Sequence, residues 1–117
     1  YVELPCTLPH DFTLFVMLQQ PTPSLWIRKL DWIVSQGGMA LLLTHPDYMN
    51  MESGPCRFDE YPVALYERFL DHVTTRFSGD YWNALPRDVA NYSSGLSGRH
   101  RQGDSNDTLS MKGRHAA

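Results

Sequence analysis

The sequence predicts an α/β chain in which a buried strand delivers a polar group to its carboxyl end. Three observations carry that expectation. An apolar run, Met39 to Thr44, follows the pair Gly37-Gly38 and is closed by His45-Pro46. It shows no polar alternation, as expected of a strand covered on both faces. Two further stretches, Ser24 to Gln36 and Tyr61 or Pro62 to Phe77, repeat apolar residues at helical period.

Taken in order, Tyr1 to Leu8 reads as a short strand, with Pro5 marking its end or an irregularity. Pro9-His10-Asp11 is a turn, and the apolar Phe12 to Leu18 fits either strand or helix. Pro21 and Pro23 interrupt it. Ser24 suits the N-cap of the first helix. Leu25 or Trp26, Lys29 or Leu30, and Ile33-Val34 make its apolar stripe, with Arg28, Asp31 and Ser35 outside it. Gly37 or Gly38 can take the left-handed conformation that ends a helix.

Pro46 has no N–H and stops the ladder behind the Met39 to Thr44 run. His45 is thereby left at the rim, where an imidazole can meet substrate. A histidine after a strand is also a common surface or hydrogen-bonded structural residue. A loop, Pro46 to Glu60, contains Gly54-Pro55 and several acidic or amide side chains. In the second helix Leu65, Tyr66, Phe69, Leu70, Val73 and Phe77 share a face, opposite Glu67, Asp71 and Thr74. His72 lies beside that stripe in a packing or surface role. Gly79 stops the helix, and Tyr81 to Leu85 leads to a short helix opened by Pro86.

From Ser93 to Ala117 the pattern gives way to Ser, Gly, Asn, Asp, Arg and His. Leu96, Leu109 and Met111 are its large apolar residues. Such a segment buries too little surface to offset its ordering entropy and is expected to be a disordered tail. The sequons Asn91-Tyr92-Ser93 and Asn106-Asp107-Thr108 are read as chance matches.

Composition narrows the function classes. The 117 residues amount to one small domain at most. A net charge of -3 argues against nucleic acid or an anionic membrane as the main partner. No apolar run approaches the roughly 20 residues that span a bilayer. The chain opens at Tyr1 without methionine or a signal pattern and reads as a piece of a longer polypeptide, so its compartment stays open. Cys6 and Cys56 are expected to remain reduced. Cys6 and His10 have a metal-like separation, yet no second ligand pair completes a zinc pattern.

Glu3-Leu4-Pro5, Thr7-Leu8-Pro9 with Asp11, the helix entering Gly37-Gly38, and Leu43-Thr44-His45-Pro46-Asp47-Tyr48 form a recognisable series. It continues through Tyr66, Phe69-Leu70 and Trp82-Asn83-Ala84-Leu85-Pro86-Arg87-Asp88-Val89-Ala90. In these blocks residues 1–92 resemble the carboxyl-terminal portion of the polysaccharide deacetylase family, homologues of the nodulation-factor chitooligosaccharide deacetylase. The tail, residues 93–117, matches nothing in it. The resemblance implies an irregular, incomplete (β/α) barrel that hydrolyses N-acyl groups, typically acetyl, from amino sugars. It implies a divalent metal, usually zinc, on one aspartate and two histidines, with a second aspartate as base. His45 matches the late histidine that protonates the leaving amine, a step that suits imidazole because it changes charge near neutrality. Asp47, Tyr48 and Trp82 are the accompanying candidates for substrate contact, and the long loop is expected to shape the pocket rim.

The family's metal residues, an Asp-Asp block and a His-x-x-x-His pair, have no counterpart in this sequence. The chain alone is therefore expected to hold no metal and no activity, and its partners to be a carbohydrate or small amide substrate and a missing amino-terminal half of the domain. A complete barrel of this kind takes roughly 200 residues or more. Two other readings stand beside the hydrolase: an inactive relative that binds glycans through Trp82, Tyr48 and Tyr81, and a truncated product with no function of its own.

Overall fold

Trp26, fully buried on the first helix, is the hub around which residues 5–81 pack. The computed structural model describes residues 1–52 and 54–96. They fall into two compact units, one formed by Pro5–Tyr81 and the other by Tyr1–Leu4 with the segment that starts at Trp82.

In the larger unit a π-helix spans Phe12–Met17, with Asp11 as its N-cap. Its wide turn is closed by the N–H of Leu18 donating to Thr13 O at 3.0 Å. The apolar Phe12 to Leu18 stretch is thus helical, and it buries Leu14 and Phe15. Helix α1 (Ser24–Ser35) buries Trp26, Leu30 and Ile33, the stripe that its sequence period specifies. Its N-cap is Pro23 rather than Ser24, and no side chain caps it. At its other end Gly37 has φ 64°. The N–H of Gly38 donates to Ile33 O at 2.9 Å and that of Gly37 to Val34 O at 3.0 Å. This is the paired closure that a left-handed glycine allows.

A 3-10 turn at Pro46–Tyr48 leads into β1 (Met49–Asn50), which pairs in parallel with β2 (Tyr61–Pro62), Met49 opposite Tyr61. β2 runs directly into helix α2 (Val63–Arg76), with Pro62 at its N-cap. Leu65 and Phe69 are buried on α2, while Leu70, expected on the same face, is exposed. The core joins Leu8, Leu14, Phe15, Trp26, Leu30, Ile33, Tyr61, Leu65 and Phe69. Phe15 and Phe69 stand edge-on to the indole with ring centres 4.8 and 5.1 Å away, a favoured aromatic arrangement.

Two expected strands are absent. Neither Tyr1 to Leu8 nor Met39 to Thr44 is a strand, and no residue of the second run is buried. The two are nevertheless clipped together. The N–H groups of Thr7 and Leu8 both donate to Leu41 O, at 3.0 and 3.2 Å. The Thr7 hydroxyl donates to Met39 O at 3.1 Å and accepts the N–H of Leu41 at 2.8 Å. A side chain thus takes ladder positions that backbone would fill in a sheet.

In the smaller unit residues 86–96 are helical, following Pro86 as the sequence suggests. Ser93 to Leu96 therefore extend that helix; the remainder of the expected tail, residues 97–117 with the second sequon, lies outside the described residues. Trp82 stands 5.8 Å from Tyr92 in an edge-on ring contact.

Candidate functional site

The larger unit gathers its chemistry-bearing side chains where the Pro9-His10-Asp11 turn meets His45. Trp26 fixes the turn from below: its indole N–H donates to Pro9 O at 2.8 Å. Asp11 has no solvent exposure. Its Oδ1 accepts the N–H of Phe12 at 2.8 Å. Its Oδ2 accepts the N–H of His45 at 2.8 Å and the Tyr61 hydroxyl at 3.2 Å. A buried carboxylate needs such compensation, and these donors, two of them main-chain amides, supply it.

His45 keeps extended backbone, φ -127° and ψ 124°, as the residue entering the 3-10 turn. Its ring is half-buried, and Nδ1 is buried without a hydrogen-bond partner. The His10 ring lies 4.8 Å from it, centre to centre. His10 Nδ1 is 3.0 Å from Asp11 Oδ1 and 3.1 Å from the N–H of Phe12. Tyr48 closes the group, with its ring 5.6 Å from His45 and 4.6 Å from Phe12. Tyr61 is a passive anchor. Burial first, then the neighbouring Asp11 charge and its hydrogen bond, push the phenol far above its ordinary pKa.

Of the residues singled out from sequence, His45 and Tyr48 stand together in this cluster. Asp47 follows His45 in the 3-10 turn and points its exposure to solvent. Trp82 belongs to the smaller unit and is 60% exposed. Cys6 and Cys56 are unbonded to each other, Cys6 exposed and Cys56 half-buried. His72 on α2 meets Asp31 of α1 at 3.1 Å, pinning the two helices. His10, Asp11 and Tyr61 were not singled out as members of one site. The one local hint was a histidine and a helix-capping aspartate placed together in a proline turn; nothing local points to His45 or Tyr61 as their partners.

No Asp-Asp block or His-x-x-x-His pair exists in the chain, so its residues do not fit the metal site implied by the deacetylase resemblance. Among the described residues a different group, His10, Asp11 and His45, brings its ligand atoms within 4.8 Å of one another. No protein-family model, curated protein or solved structure matches this chain.

Proposed function

We propose that residues 1–92 are the carboxyl-terminal portion of a polysaccharide deacetylase-type (β/α) domain. In this reading the domain hydrolyses N-acyl groups of amino sugars or related small amides, and His45 protonates the departing amine. The observation that carries the proposal is the grip of buried Asp11 on the main chain of His45, which holds a half-buried imidazole at the end of the Met39 to Thr44 run. An amine cannot depart from a tetrahedral intermediate as its anion, so a positioned proton donor is what amide hydrolysis needs here. Asp11 acts through the backbone and positions the ring without touching substrate.

Asp47 and Tyr48, on the turn that follows, are the substrate contacts in the larger unit; Trp82, in the smaller unit, is a separate candidate whose exposed indole suits a sugar ring. The family's metal, of the zinc class, and its attacking water belong to a part of the domain outside this chain. The exposure of Met17, Leu18, Trp32, Leu43 and Phe58 supports a missing partner segment, because large apolar side chains gain most from being covered.

The test is complementation. An amino-terminal half carrying the Asp-Asp and His-x-x-x-His residues is combined with this chain and assayed for acetate release from an N-acetylglucosamine oligomer. Activity is expected from the pair and from neither half alone. An unchanged rate with His45→Ala in the pair would reject the role of His45.

A further inference from the structure

We propose that His10, Asp11 and His45 form a binding site of their own for a divalent transition metal of the zinc class. The site is distinct in its residues from the metal centre invoked above and needs no missing half.

Three features of the cluster point to a cation. Its ligand atoms all lie within 4.8 Å of one another. His10 Nδ1 faces Asp11 Oδ1 at 3.0 Å while the N–H of Phe12 is directed at both atoms. A lone pair on that nitrogen would oppose the carboxylate, and either a proton or a metal ion relieves the conflict. The buried Nδ1 of His45 is the independent sign: it has no hydrogen-bond partner, although buried polar atoms ordinarily have one.

The support around the ligands is already built. Asp11 is fixed by Phe12 N–H, His45 N–H and the Tyr61 hydroxyl, the kind of outer contacts that orient a ligating carboxylate. Two imidazoles and one carboxylate favour zinc, cobalt or nickel over magnesium or calcium, which prefer oxygen ligands throughout. Zinc bonds of about 2.0–2.1 Å set donors roughly 3.3 Å apart in a tetrahedron. The His10–Asp11 pair is close to that spacing already. The widest spacing in the group, up to 4.8 Å, exceeds what a bound zinc sets, so occupancy draws the side chains inward.

The purified chain is titrated with zinc chloride by calorimetry and with cobalt chloride by visible absorption, with no substrate present. One ion per chain is expected, with a cobalt ligand-field spectrum. His10→Ala and His45→Ala should each weaken binding by about tenfold or more, on the scale that disturbing metal-site residues produces. His72→Ala, Cys6→Ser and the double variant His100→Ala/His115→Ala should leave it unchanged. Because Asp11 is also a helix cap, the partly exposed His10 is the deciding variant. Absence of binding at millimolar metal would overturn the site. So would full affinity in His10→Ala, or loss of binding in the His100/His115 variant. Failure here leaves the hydrolase reading standing, and a failed complementation leaves this site standing, because neither readout enters the other.

Discussion

Asp11 Oδ2 accepts the main-chain N–H of His45 at 2.8 Å, across a sequence separation of 34 residues. The Thr7 hydroxyl accepts the N–H of Leu41 at 2.8 Å with the same separation. Two bonds with one offset mean that residues 7–11 and 41–45 run in the same direction and in register. Side chains at Thr7 and Asp11 stand in for the backbone ladder of a parallel strand pair, and the histidine is delivered at the end of the second segment.

Removing the second clip should therefore loosen His45 before anything else. Asp11→Ala orphans the part-buried N–H of His45 and the buried Tyr61 hydroxyl; an unmet buried donor costs about 1–3 kcal/mol, and a part-buried one less. The Phe12 N–H keeps its contact with His10 Nδ1. Urea titration should show the stability loss, and amide hydrogen exchange should show His45 among the amides losing most protection. Unchanged protection at His45 would mean that the bond does not hold the segment.

The core rests on one indole. Trp26→Ala empties the space between Phe15 and Phe69 and should cost about 3–5 kcal/mol, a large fraction of what a domain this size possesses. Trp26→Phe should cost less but also free Pro9 O, destabilising the turn that carries His10 and Asp11. Both variants lose the Pro9 hydrogen bond, so the difference between their thermal unfolding midpoints reads the packing alone, and the loss in Trp26→Phe relative to the parent includes the bond; equal midpoints in the two variants would refute the packing role of the indole.

Tyr61 predicts an alkaline limit. Its folded pKa is raised, by burial first and by Asp11 second, whereas an unfolded tyrosine ionises at about pH 10. Above that pH the unfolded chain binds fewer protons than the folded one, so the stability that neutral Tyr61 provides is complete below about pH 10 and is lost as pH rises from there through the raised folded pKa. Tyr61→Phe should flatten this decline in denaturant midpoints measured across the alkaline range. Equal slopes in both proteins would contradict the assignment.

The helices were legible in the sequence because each carries its own period: Trp26, Leu30 and Ile33 on α1, Leu65 and Phe69 on α2. The Gly37-Gly38 pair was legible as a stop, and the structure assigns the left-handed position to Gly37. The segments 1–8 and 39–44 misled because apolar content signals burial, and here Leu43 stays exposed while a threonine hydroxyl supplies the pairing. Tyr61 looked like the start of a helix, but its backbone pairs with Met49 first. The meeting of His10, Asp11 and His45 could not be read, since their proximity depends on an offset that no local spacing encodes.

The claim on which the functional account turns is that the His45 imidazole hands a proton to a departing amine. The direct measurement compares the complemented enzyme with its His45→Ala variant on two substrates, an N-acetylglucosamine oligomer and an aryl acetate ester whose phenolate leaves unprotonated. The account predicts that the substitution lowers kcat on the amide by about 10²–10⁴, the usual worth of a general acid, and leaves the ester rate nearly unaffected. An equal loss on both substrates, or no loss on the amide, would contradict it.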